Sequence, residues 1–258
     1  MAFFKNEEFM RYSGIEEGTF LERLNRFEAR VILGGRAEIV HVKNTGRCRE
    51  LLLEGARIFL SRSDNPNRKT RYDLVTVQRQ DGRLVNIDSM APNLVVREWL
   101  ERQDFDRIIP EYRYLQSRID FYMERRMPGT ADRDGRREDG ETTAYLMEVK
   151  GCTLIKDGIG YFPDAPTERG TRHLRDLIHA RQQGMVAIAA FVIQTDGVDE
   201  VRPNRETDAS FAETLDSAKE AGVHIIMLPC HVEPDLLVID TDWMIPMWEK
   251  ERNVRYGI

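Results

Sequence analysis

Short runs of alternating apolar and polar residues fill the first third of the chain, and longer apolar runs separated by helical stripes fill the rest. Successive side chains of a strand point to opposite faces, so alternation marks a half-buried strand. On that basis residues 19–24, 28–33, 38–42, 57–61, 74–80 and 84–87 read as strands. Gly34-Gly35 and Asp81-Gly82 supply hairpin turns. So many short strands within about seventy residues predict a small OB-like barrel over 18–90, after a loosely attached lead-in at 1–17. Pro92 to Gln103 predicts a helix: Pro suits the first turn, and Leu94, Val95, Trp99 and Leu100 form a stripe. This helix, within 91–107, joins the barrel to a second domain over 108–258.

Residues 112–115 and 119–123 open a second sheet, and the apolar run 145–152 continues it. A helix follows Thr167, with Leu174, Leu177 and Ile178 at helical spacing and Gly184 at its end. Residues 185–193 are almost continuously apolar, the mark of a strand covered on both faces. A helix over 209–221 and a strand over 223–228 complete a strand–helix–strand–helix–strand order. That order predicts an α/β sheet with parallel crossovers, α+β for the chain as a whole. The stretch 124–143 is dense in charge and Gly and reads as an exposed extension.

Chemistry concentrates in the second sheet. Leu146, Glu148 and Lys150 share one face of their strand, so a carboxylate and an ammonium project side by side from an apolar run. Asp120 can join them if its strand is the neighbour, and Glu111 lies just upstream as a third acid. Two acids and a lysine could hold a hard divalent cation and organise an attacking water. The plainer alternative is a same-face charge pair on a solvated strand.

Asn44-Thr45-Gly46-Arg47 and the loop with Arg62, Ser63, Asn65, Arg68 and Lys69 mix turn formers with hydroxyl, amide and basic groups. Such groups can hold phosphate oxygens, or simply build turns. Arg169, Arg172 and His173 cluster on the first helix of the second sheet, either at a cleft or on a solvated basic face.

The net charge of −6 gives no global basic footprint. Cys48, Cys152 and Cys230 lie far apart, which fits neither a disulfide framework nor a zinc site and suits a reducing cytoplasm. The acidic N-terminus lacks a signal-peptide core, and no apolar stretch is long enough for a bilayer, so the expectation is a cytoplasmic protein with no membrane partner.

Taken in order, His41-Val42-Lys43-Asn44-Thr45-Gly46-Arg47, Leu60-Ser61-Arg62-Ser63-Asp64-Asn65-Pro66, Arg118-Ile119-Asp120-Phe121, Glu148-Val149-Lys150 and Phe162-Pro163-Asp164-Ala165 resemble a known family. Thr167-Glu168-Arg169-Gly170 and His173-Leu174 extend the match. The family is that of the sugar fermentation stimulation proteins, the bacterial and archaeal SfsA proteins, whose name records a maltose-metabolism phenotype and DNA binding. The resemblance implies an N-terminal OB-like barrel and a restriction-endonuclease-like PD-(D/E)xK domain. Asp120, Glu148 and Lys150 match that nuclease triad, and Glu111 is similar to an accessory acid. Gly151, where the family tends to carry Ser or Asn, and Thr171, where an amide is frequent, depart from the pattern.

The resulting expectation is a DNA-binding, or RNA-binding, metal-dependent nuclease. Asp120, Glu148 and the Val149 carbonyl would hold Mg²⁺ or Mn²⁺, and Lys150 would act on the water. The alternative is a non-catalytic DNA-binding regulator on the same scaffold. A homodimer is compatible with either.

Overall fold

A computed structural model of the chain describes residues 9–44, 46–126 and 141–240. The first unit comprises β1 (Ile15–Arg23), β2 (Glu28–Leu33), β3 (Arg36–Val42), β4 (Arg57–Arg62), β5 (Tyr72–Gln78) and β6 (Leu84–Asn86). The strands follow the order β3-β2-β1-β4-β5-β6, and a parallel pairing of β3 with β5 closes the first five into a barrel. Alternation sets its inside: Ala29 and Val31, Val40 and Val42, Ile58 and Leu60 are all buried. At Gly18 a Cβ would lie 2.8 Å from the Ile32 carbonyl, so only glycine lets β1 and β2 approach this closely.

The lead-in is tied down earlier than expected. β1 begins at Ile15, Arg11 binds Asp235 at 2.7 Å, and the Tyr12 N–H donates to the Asp235 carbonyl at 2.8 Å. These are contacts between distant segments, which local periodicity does not record.

The second unit is a six-stranded sheet. β7 (Arg107–Tyr114), β8 (Ser117–Arg126) and β9 (Thr142–Cys152) precede β12 (Val186–Ile193), β14 (His224–Glu233) and β15 (Leu236–Ile239). The spatial order is β15-β14-β12-β9-β8-β7, with β12 parallel to both β9 and β14. All eight residues of β12 are buried, as a strand covered on both faces requires. A small side sheet of β10 (Leu154–Lys156), β11 (Ile159–Phe162) and β13 (Val201–Pro203) flanks it.

Helix α1 (Ala91–Glu101) packs Val95, Val96, Trp99 and Leu100 with Tyr145, Met147 and Val149 on one face of the sheet. It therefore belongs to the sheet's core as well as joining the two units. Leu146 and Ile119 face the other side, toward α2 (Glu168–Gln182) and α3 (Ala209–Glu220). Thr167 caps α2 by accepting the Gly170 N–H at 3.0 Å, and Asp208 caps α3 through the Phe211 N–H at 2.9 Å. No helix among the described residues is long and apolar enough to cross a membrane.

A polar seam locks barrel to sheet. The Asn86 N–H donates to the Gln194 carbonyl at 3.0 Å, and Gln194 Nε2 donates to Asn86 Oδ1 and to the Asp88 carbonyl, both at 3.1 Å. Asp88, fully buried, pairs with Lys43 at 2.7 Å. Buried polar groups held this fully fix a geometry.

Candidate active site

Glu148 sits in the middle of β9, 3 % exposed, on the face covered by α2. Burial alone would push its carboxyl up, but the Lys150 ammonium and a hydrogen bond from His173 outweigh that and hold it below the usual range. Lys150 Nζ and His173 Nδ1 both donate to Glu148 Oε1. The second oxygen, Oε2, is buried with no hydrogen-bond partner. A buried carboxylate oxygen without a donor is costly, and a bound cation is one means of satisfying it.

Asp120 lies on β8, where the ladder with β9 ends at Phe121↔Met147. Its carboxylate replaces the missing rung: Oδ2 accepts the Val149 N–H at 2.8 Å, and Oδ1 accepts Asn93 Nδ2 of α1 at 2.7 Å. Burial first, and the negative charge of Glu148 second, push the Asp120 carboxyl up to about 6. The two acids therefore sense each other across the gap. In an extended strand the N–H and C=O of one residue leave on the same side, so the Val149 carbonyl faces this gap too. Asp120, Glu148 Oε2 and that carbonyl make a set of hard oxygen donors suited to a divalent cation that keeps part of its water shell. No group of three or more His, Cys, Asp or Glu side chains among the described residues is arranged to hold a metal ion by itself, so solvent or phosphate would supply the remaining ligands.

His173 enters this group rather than a nucleic-acid surface. It is 1 % exposed and faces inward from α2. Arg169 Nε donates to His173 Nε2 at 3.4 Å. A guanidinium has only donors, so Nε2 accepts and Nδ1 carries the proton given to Glu148. Arg169 and Arg172 are exposed on the same helix. Glu111, with φ +54 on β7, sits opposite Asp120 in register but is exposed, 3.6 Å from Arg118.

The barrel loops divide. Asn44 Nδ2 donates to the Ile87 carbonyl at 2.8 Å and its Oδ1 accepts the Gly46 N–H at 2.7 Å, so this side chain shapes its own loop. The Arg47 N–H then reaches Asp164 Oδ2 at 3.1 Å, docking the loop on the second unit. Thr45 lies outside the described residues. In the other loop Ser63 and Asn65 accept backbone N–H groups two residues on, and Arg68 is held by Asp73 at 2.5 and 2.9 Å. That is turn construction. Arg62 and Lys69 remain exposed. Of the charged extension, Arg125 pairs with Asp104 at 2.9 Å, while Arg133, Arg136 and Arg137 fall outside the described residues.

Between barrel and sheet lies a cleft of ≈ 380 Å³ lined by Asn44, Ser89, Gly151, Thr153, Asp164 and Gln194, among others. Gly151 follows Lys150 directly, and Thr167, also in the wall, starts the helix that carries His173.

Comparison with known proteins decides the family. Residues 90–236 match the model of the sugar fermentation stimulation protein RE domain, and residues 21–87 match the SfsA N-terminal OB domain. The chain belongs to the sugar fermentation stimulation protein family. A homologue from Desulfitobacterium hafniense is 45 % identical over 229 residues, covering 88 % of this chain and 93 % of its own. Another from Clostridium beijerinckii is 43 % identical over 234 residues, covering 89 % and 96 %. Among solved structures, Pyrococcus furiosus SfsA in complex with Ca²⁺ matches with a TM-score of 0.74 and 28 % identity, over 91 % of this chain and 96 % of that one. The family's barrel-then-sheet order is thus the order found here.

Proposed function

We propose that this chain is a nuclease-like, divalent-metal-dependent protein that binds DNA, or RNA, in the cytoplasm and hydrolyses phosphodiester bonds. The observation that carries the reading is the unpartnered Glu148 Oε2, buried beside Asp120 and Lys150. Asp120, Glu148 and the Val149 carbonyl would hold Mg²⁺ or Mn²⁺, and the Ca²⁺ of the Pyrococcus furiosus relative supports a hard cation in this family. When bound, such an ion polarises a phosphate and acidifies a water.

The chain's own groups do the rest. His173 fixes Glu148 Oε1 and so leaves the buried Oε2 for a cation. Asn93 and the Val149 N–H fix Asp120. Lys150, drawn in by Glu148, presents its protons to the water or to the charge that develops on phosphate oxygens. The barrel adds backbone contacts whose strength falls with salt.

The ion pair that closes Lys150 onto Glu148 favours a second reading, a DNA-binding regulator that keeps the scaffold without turnover. Labelled single- and double-stranded DNA incubated with Mg²⁺ or Mn²⁺ separates the two. Cleavage by wild type, lost in Glu148→Ala and Lys150→Ala with binding retained, supports the nuclease. Salt-sensitive binding with no cleavage under either metal supports the regulator.

A further inference from the structure

A second cavity, of ≈ 480 Å³, opens on the barrel beside the interdomain cleft. Its wall includes Arg23, Arg26, Arg47 and Arg49, and it shares Arg26, Gly46 and Ala165 with the cleft. The four arginines have different duties. Arg23 is spent on the backbone: its guanidinium donates to the carbonyls of Asn25, Arg26, Asn44, Gly46 and Arg47 at 2.7–3.2 Å. It shapes the wall.

Arg26, Arg47 and Arg49 are exposed, and no carboxylate among the described residues pairs with them. Elsewhere in the same barrel Arg57, Arg68 and Arg83 each hold an acid at 2.5–3.0 Å. Three clustered guanidinium groups with no ion-paired acid, in a chain of net charge −6 and beside only the Asp164 carboxylate that holds the Arg47 N–H, suit an anion. Next to Arg26, Phe27 is 51 % exposed at the β1–β2 turn, an apolar ring left in water.

We infer that this cavity binds single-stranded nucleic acid, with Arg26, Arg47 and Arg49 on its phosphates and Phe27 beneath a base, and leads the strand through the interdomain cleft to Lys150. The inference rests on the nuclease reading only for its last step, delivery to the catalytic group. Two features argue for a single strand over a duplex. An exposed ring stacks directly on an unpaired base, whereas in a duplex it must first unstack a base step. The Arg47–Asp164 contact keeps barrel and sheet close together beside the path, leaving passages of a few hundred Å³.

The test is metal-free binding, with EDTA present, followed by fluorescence anisotropy. The probes are a labelled ~12-nucleotide DNA strand, the span one OB fold covers, the RNA strand of the same sequence, and the DNA duplex. The Arg26→Ala, Arg47→Ala, Arg49→Ala triple variant should bind the single strand at least tenfold more weakly. Its plot of log K against log salt should be shallower by about 2, as the loss of three phosphate contacts on a single strand requires. Phe27→Ala should lose about fivefold or more on single strands and leave duplex binding unchanged. The DNA and RNA arms tell which strand is preferred.

Unaltered single-strand binding in the triple variant, or a wild type that prefers the duplex, overturns the inference. Because no step here needs turnover, a protein that binds as expected yet cleaves nothing would sink the nuclease reading and leave this site standing.

Discussion

His173 of α2 and Glu148 of β9 meet inside the protein, and the histidine gives its Nδ1 proton to the same carboxylate oxygen that Lys150 holds. The contact leaves Glu148 Oε2 without a partner, so on the proposed metal-dependent reading His173 would position a metal ligand. Partners of this kind typically account for about 10–100-fold in metal affinity or activity. His173→Ala should therefore weaken Mn²⁺ binding, read as a smaller Mn²⁺-induced rise in Tm, and slow cleavage by a similar factor. His173→Gln, which keeps a donor, should recover part of both. Wild-type metal affinity in His173→Ala would remove the role.

Asp120 gives a pH dependence with a definite sign. Its carboxyl titrates at about 6 in the fold, against 3.8 ordinarily, because of burial and then the charge of Glu148. Between those values the folded protein holds a proton that the unfolded chain has released, so this group's contribution to stability falls as pH rises from 3.8 to about 6. A divalent cation requires the ionised form and reverses the penalty. The rise in Tm on adding Mn²⁺ should then be small at pH 5 and large at pH 7. Asp120→Asn should flatten that profile, and an equal rise at both pH values in wild type would contradict the assignment.

Arg23 organises the loops that face the cleft. Its guanidinium reaches five backbone carbonyls, a forked geometry that lysine cannot copy. Removing it leaves several carbonyls of the 25–26 and 44–47 turns without a partner. Arg23→Ala should cost about 2–3 kcal/mol in urea unfolding, and Arg23→Lys should recover little of it. Full recovery by lysine would show that charge alone matters there.

How much of this was written in the sequence depends on distance along the chain. Alternation located the barrel strands, and the apolar run to Ile193 located the central strand of the second sheet. The spacing of Leu146, Glu148 and Lys150 correctly put the acid and the lysine on one face. The same logic could have placed His173, which shares the helical stripe of Gly170, Leu174 and Leu177, all buried. Its charged neighbours pulled it toward a basic surface instead. Asn93, Arg23 and Asp73 were not legible, because each acts on a partner distant in sequence that the fold brings near: Asp120, the Asn44, Gly46 and Arg47 carbonyls, and His41. Ser63 and Asn65 show the reverse case, in which the polar side chains serve the local turn.

Gly151 couples β9, the strand of Glu148 and Lys150, to the seam between the two units. A Cβ there would lie 2.4 Å from Gln194 Oε1 and 2.8 Å from Pro92 Cγ. The Gln194 amide can swing aside, but only by giving up its bonds to Asn86 and the Asp88 carbonyl; the proline ring of α1 has no such freedom. Gly151→Ala should thus destabilise the protein by about 1–3 kcal/mol, as overpacking does in a tight interior. Gln194→Ala, which loses the seam bonds but opens space, should make the same Gly151→Ala change less costly. A double-mutant cycle in urea should therefore show a coupling of at least ~0.5 kcal/mol between residues in contact. Strict additivity would mean that Pro92 alone sets the clash, and that β9 and the seam are independent.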